Sequence, residues 1–225
     1  MIVSAGADQE HAMLVHGLAL AAGCAANGGW AYAGSARSGR RYGSGVLVRW
    51  SSRCFPERPV ARGGAMPYLV RHAHAGDKRA WQGPDSLRPL SAAGGQEAHG
   101  LLTQLRDYPI SRILSSPAVR CQQTVQPLAE RRDLRVETAD ALGVDADSTG
   151  LVALLLDPAA SETVLCSHGE LIGEALRCLL GHDVDGESLV WPKGSTWLLE
   201  VHGGQVQHSY YLPPLRLQDV KAGYY

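Results

Sequence analysis

From residue 67 onward, short apolar runs alternate with stretches of helical spacing. Tyr68–Val70 is an apolar triplet that runs directly into Arg71 and His72, and its length predicts a strand. The segment "PDSLRPLS" then leads into a helix from about Ala92 to Leu105. "RILSS", Arg112 to Ser116, predicts a second strand, and Pro117 suits the first turn of a helix running to about Arg131. "LRVE" is a short third strand, followed by a helix from about Thr149 to Leu156 that ends before Asp157-Pro158. "ETVLCS", Glu162 to Ser167, predicts a buried strand. After it, Leu171, Ile172, Ala175, Leu176 and Leu179 recur at helical spacing, and the helix closes on Gly181. "STWLLEV" and "VQHSYYL" predict a last pair of strands. Strand alternating with helix implies an α/β domain, a three-layer sandwich around a mostly parallel central sheet.

Upstream the pattern breaks. Residues 1–65 are rich in Gly, Ala, Ser and Arg and hold no Lys, and "GGWAYAGSARSGRRYGSG" has neither helical nor strand period. The expected organisation is therefore an N-terminal extension, 1–65, a working domain, 66–215, and a short tail, 216–225. The extension is read as disordered, or as upstream sequence translated from a start placed too early, with Met66 at the junction before Pro67. The alternative is a small N-terminal subdomain, with "GVLVRW", Gly45 to Trp50, as its best strand. No apolar run reaches the roughly 18 residues of a membrane span. Met13–Ala26 comes nearest to a signal core, and "LAAGC" faintly resembles a lipoprotein cleavage site at Cys24. Asp8 and Glu10 precede it without Lys or Arg, against the basic flank an export signal needs. A cytoplasmic protein with no membrane partner is expected.

Composition narrows the classes. A chain of 225 residues with a formal charge of -1 suits one domain with excess length, or two small ones. That balance does not suit a general nucleic-acid binder, so any anion preference must be local. The five cysteines are scattered, odd in number, and lack CxxC or zinc-like spacing with His, which reads as reduced thiols and no metal site.

The candidate chemistry lies at strand ends. His72 follows the first strand and His168 follows "TVLCS". In an open α/β sheet, ligands bind at the carboxyl ends of the strands. "SSPAVRCQQT" leaves the second strand there too and puts Arg120 about one turn into the next helix, near the same rim, and Arg71 completes a compact cationic pocket. Arginine presents a planar donor fork matched to phosphate, and the helix starts after Ser116 and His168 add backbone N–H groups. A neutral imidazole is a competent nucleophile toward phosphorus. Histidine with arginines and no acidic metal ligands points to phosphoryl transfer through a phosphohistidine, with neither metal nor cofactor. Cys121 and Cys166 flank these motifs without the Cys-x5-Arg spacing of a cysteine phosphatase and read as packing residues.

These motifs, "RH" in "VRHAHAG", "SSPAVRCQQT" and "CSHGE", resemble in order the three signatures of the histidine phosphatase superfamily, the phosphoglycerate-mutase-like fold, over about residues 67–213. "LRPLSAAGGQEA", "RCQQTVQPLAE" and "KGSTWLLEV" are most similar to SixA-like phosphatases and to the phosphatase domain of mycobacterial MutT-like Nudix proteins, although no Nudix box occurs in this chain. The resemblance implies His72 as the phosphorylated nucleophile, with Arg71, Arg120 and His168 forming the phosphate pocket. Where the family usually has Arg-His-Gly, this chain has Ala73. Larger members place a general acid after the third strand. Here Glu137, Asp140, Asp145 and Asp147 are available, and spacing from Leu142 favours Asp145, then Asp147.

If none of these acids reaches the site, substrates with good leaving groups are expected: phosphohistidine, acyl phosphate or diphosphate. Arg88 is a substrate-phosphate candidate by the resemblance, or else a salt-bridged surface arginine. Ser116 is a further binding candidate, and His74 either touches substrate or stands idle at the mouth. The expected function is a metal-independent phosphatase acting on a phosphorylated small molecule, a nucleotide or a phosphohistidine protein. A phosphomutase of the same fold and a non-catalytic phosphate-binding module are the alternatives.

Overall fold

The computed structural model of the chain describes residues 64–184 and 187–216. All of them belong to the second of the two units into which the chain divides, Phe55–Tyr225. Apart from Gly64, Ala65 and Arg216, the extension at 1–65, its Gly45–Trp50 strand and the tail at 216–225 lie outside the described residues. Ala65 is buried and bridges Val201 in both directions, at 2.9 and 2.8 Å, so the folded body includes at least this one residue upstream of Met66.

The core strands are β1 (Tyr68–Arg71), β2 (Arg112–Ser115), β3 (Val136–Thr138) and β4 (Thr163–Ser167), with β4 buried throughout. A small hairpin, β5 (Asp183–Val184) with β6 (Glu187–Ser188), follows, and β7 (Thr196–His202) and β8 (Gln205–Leu212) end the domain. The six-stranded sheet runs in the order β3-β2-β4-β1-β7-β8. The four on the β3 side are mutually parallel, and β7 and β8 are antiparallel to their neighbours. Four helices cover it: α1 (Ala92–Gln104), α2 (Val119–Arg132), α3 (Ser148–Leu156) and α4 (Gly169–Leu180).

The strand period of two sorts the core into two layers. Tyr68, Val70, Ile113 and Val164 pack with Leu101, Val125 and Leu128 of α1 and α2. Leu69, Leu114 and Leu165 pack on the other face with Leu151, Leu155, Ile172 and Leu176 of α3 and α4. The expected three-layer arrangement with a mostly parallel sheet is what folds.

Local chemistry sets the helix ends. Ser91 caps α1 by accepting the Gly94 N–H, Asp147 caps α3 by accepting from Thr149 and Gly150, and Gly181 ends α4 at φ 85°. One boundary differs from expectation. Pro117 lies outside α2, which begins at Val119, because the Ser116 hydroxyl takes the Ala118 N–H at 3.2 Å and closes a turn first. The β5–β6 hairpin was not anticipated, since two residues per strand leave no period to detect.

Adjacent glycines in α1 face opposite situations. A Cβ on Gly94 would stand 2.0 Å from the His74 carbonyl oxygen, whereas one on Gly95 would meet open space. Gly94→Ala is expected to destabilise the fold by roughly 1–3 kcal/mol, and Gly95→Ala to be neutral or stabilising by up to about 1 kcal/mol. Urea denaturation midpoints of the two variants check this contrast.

Candidate active site

Parallel pairing brings the carboxyl ends of β1, β2 and β4 together. Arg71 pairs with Ser167, and Ser115 with Cys166. The next residues continue the pattern: the His72 N–H donates to the Ser167 carbonyl at 3.0 Å, and the Ser116 N–H to the Cys166 carbonyl at 2.9 Å. His72 and His168 therefore face each other, ring centroids 5.3 Å apart and planes inclined by 60°. Both are buried, at 6% and 2% exposure.

The His72 Nδ1 lies 2.8 Å from the carbonyl of Ala73. A carbonyl only accepts, so this bond puts the proton on Nδ1 and leaves Nε2 with its lone pair. Burial pushes the His72 pKa down to about 3, and the neighbouring charges of His168, Arg120 and Arg71 add to that, against the Ala73 hydrogen bond. The ring is thus a neutral imidazole near pH 7. Ala73, the departure from Arg-His-Gly, suits this turn: it is fully buried, and the only non-glycine residues with positive φ among those described are Asp133 and Glu162. Glycine's left-handed freedom is not needed at this position.

Each guanidinium is anchored by a backbone carbonyl. Arg71 donates to the Trp191 carbonyl at 2.7 Å and lies across the start of α4, where a Cβ on Gly169 would come within 2.5 Å of it. Arg120, in the first turn of α2, donates to the Asp85 backbone carbonyl at 2.7 Å and contacts His168 Nδ1 at 3.3 Å. The Nε–H of both arginines is buried without a hydrogen-bond partner. A guanidinium only donates, so His168 Nδ1 accepts from Arg120, and Nε2–H faces the Ser116 hydroxyl at 2.8 Å. Ser116 Oγ then accepts from His168 and Ala118, leaving its own proton to offer.

Other expected residues fall in different places. Arg88 is buried, donating to the Ala75 carbonyl at 2.7 Å and pairing with Asp85 at 2.9 Å. His74 bonds toward α1: its ring meets Ser91 Oγ at 2.7 Å and its N–H donates to Glu97 at 2.9 Å. Asp145 is exposed on the loop after β3 and makes no hydrogen bond or ion pair among the described residues. Glu137 pairs with Arg112 at 2.6 Å on β3, and Asp147 is spent on the α3 cap. Cys121 and Cys166 are fully buried, as packing residues should be, with Cys121 Sγ 3.6 Å from His168 Nε2.

Two residues at the site escaped the sequence reading. Asp85 pairs with Arg120 at 3.1 Å as well as with Arg88. Its partial burial alone would raise its pKa, but the Arg88 hydrogen bond and the charges of Arg120, Arg88 and Lys78 outweigh this and hold it ionised. Its i,i+3 spacing to Arg88 was the available signal. Thr124 Oγ1 accepts the Ala73 N–H at 2.9 Å and donates to the Arg120 carbonyl at 2.7 Å, tying the loop after β1 to α2.

The family model of the histidine phosphatase superfamily (branch 1) matches residues 67–143. The chain is similar to the 8-oxo-(d)GTP phosphatase of Mycolicibacterium smegmatis, 29% identical over 168 residues, which are 72% of this chain and 52% of that protein. It therefore spans about half the length of this curated relative. Among solved structures, SixA from Agrobacterium tumefaciens matches at 25% identity and TM-score 0.55, over 67% of this chain and 98% of that one. The protein histidine phosphatase SixA complexed with tungstate shares the fold at 22% identity and TM-score 0.55, over 66% and 97%.

The lowered pKa of His72 has a stability consequence. Below its ordinary 6.5 the unfolded chain takes up a proton that the folded ring refuses down to about 3. This contribution is therefore complete above pH 6.5 and is lost as pH falls toward 3. His72→Asn is expected to lose roughly 2 kcal/mol less than the wild type between about pH 7 and about pH 5. Denaturant titrations at the two pH values, compared between the two proteins, measure it.

Proposed function

We propose that the chain is a phosphatase of the histidine phosphatase superfamily that hydrolyses phosphomonoesters, phosphoanhydrides or phosphohistidine through a phosphohistidine enzyme intermediate, a reading supported by the family match over residues 67–143 and by the similarity to phosphatases. The observation that carries this reading is a neutral imidazole with Nε2 free, set beside two buried guanidiniums whose Nε–H donors lack partners. Unpaired buried donors are costly unless a ligand satisfies them, and phosphate oxygens are the matching acceptors.

In the proposed reaction His72 Nε2 attacks phosphorus, an N–P bond forms, and the bond to the leaving oxygen or nitrogen breaks. Arg71, Arg120 and the Ser116 hydroxyl would bind the equatorial oxygens as charge develops, with His168 orienting Ser116 and Arg120. Water then cleaves the N–P bond and releases phosphate, regenerating the neutral ring. No step draws on a metal ion.

The proton for the leaving group sets the substrate range. Asp85, the acid bonded to Arg120, is held ionised and is a poor donor, while Asp145 stands exposed on the loop after β3. The reaction therefore favours groups that depart without full protonation. The names of the relatives, an 8-oxo-(d)GTP phosphatase and a protein histidine phosphatase, suggest nucleotides and phosphohistidine as substrates of that kind.

Incubation with a ³²P-labelled acyl phosphate is expected to give acid-labile, base-stable label on the wild type and none on His72→Ala. A full label on His72→Ala would overturn the mechanism. Asp145→Asn is expected to leave hydrolysis of both phenyl phosphate and an aryl phosphate of low leaving-group pKa within about twofold, well below the effect of losing a general acid. Slowing confined to phenyl phosphate would instead make Asp145 the acid.

A further inference from the structure

The loop from His72 to Ser91 does more than deliver the nucleophile. Trp81, Leu87 and Val144 are the exposed large hydrophobic side chains among the described residues. All three stand on segments leaving the carboxyl ends of parallel strands, two after β1 and one after β3. Singly exposed apolar side chains are ordinary, and of the three only Trp81 lines a groove.

Beside Trp81 lies a groove of about 220 Å³, walled by Ala75, Gly76, Trp81, Arg88 and Leu90. That is below the roughly 300–1,000 Å³ of pockets that take a whole drug-sized ligand, and leaves room for one ring system. The indole is held in place: its Nε1 donates to the Pro84 carbonyl at 3.0 Å, and a Cβ at Gly83 would come within 3.1 Å of the ring. The chain at Gly83 thus packs against the ring, and at 38% exposure the rest of the indole is available. Arg88 lines this groove, and Asp85, at 2.9 Å to Arg88 and 3.1 Å to Arg120, joins it to the phosphate pocket as a partition. Asp77 also lines the groove, its Oδ1 accepting the Arg79 N–H at 2.9 Å, which leaves Oδ2 for a ring N–H donor.

We propose that this groove is a leaving-group subsite that stacks a nucleobase-sized planar ring on Trp81, with the phosphoryl group on the far side of the Arg88–Asp85 partition. This deepens the phosphatase reading above and rests on it. An aromatic face against a fixed indole gains by stacking, and a flanking guanidinium adds to this.

The test compares guanosine 5′-diphosphate with inorganic pyrophosphate, which has no ring. In Trp81→Ala the ratio of kcat/KM for the nucleotide to that for pyrophosphate is expected to fall about 10- to 100-fold, mostly through KM, with Trp81→Phe restoring most of it. An unchanged ratio, or a Trp81→Phe variant as impaired as Trp81→Ala, overturns the subsite. Binding of guanosine monophosphate and ribose 5-phosphate to His72→Ala, followed by calorimetry, separates the two levels of the proposal. If His72→Ala prefers the nucleotide and the added Trp81→Ala substitution abolishes that preference, the subsite stands even where the wild type turns over neither compound. No preference for the nucleotide sinks the subsite and leaves the phosphatase reading untouched.

Discussion

The site exists because β1 and β2 flank β4 in parallel and in one register. Arg71 opposite Ser167, and Ser115 opposite Cys166, leave His72, Ser116 and His168 as the first residues past the ladder on three neighbouring strands. A shift of one residue on any strand would turn each side chain to the other face, exchanging a core residue for a site residue. The alternation of apolar residues between two layers resists such a shift, since Leu69, Leu114 and Leu165 must all remain on the α3–α4 side. Packing of the core therefore sets the geometry of the polar groups.

Gathering two arginines and two histidines in a buried pocket opposes folding, and the structure offsets this locally. The imidazole of His72 stays neutral, which removes one charge. Arg120 is met by the carboxylate and the backbone carbonyl of Asp85, and Arg71 by a backbone carbonyl. The single acidic neighbour of Arg120 sits on a short 3-10 turn rather than on a helix or strand, so it is carried by one of the less constrained parts of the edge. The pocket keeps net positive character without a second buried carboxylate.

Much of this was legible from the sequence because it is periodic or terminal. Strand ends running into Arg-His, Ser-Ser-Pro and Ser-His-Gly, and the apolar spacing of α4, place the alternating elements and put Arg71, His72, Arg120 and His168 at one edge directly. What escaped was bound by contacts across long stretches of chain. Asp85 meets Arg120 over 35 positions, and Thr124 meets Ala73 over 51, and neither contact leaves a local pattern. His74 was open to two readings by sequence because its neighbour in space, Ser91, doubles as a helix cap, a role visible only once α1 is docked. The acid after the third strand was misjudged for the same reason: a loop's spacing does not show that Asp145 is exposed, Asp147 caps α3 and Glu137 pairs with Arg112.

The two unpaired Nε–H groups also link folding to the surroundings. A native state that carries unsatisfied buried donors is less stable alone than with a phosphate-like anion bound, and the difference grows as RT ln(1 + [L]/Kd). On the proposed phosphate-binding reading, the supply of that anion then also acts on how much of the protein is folded.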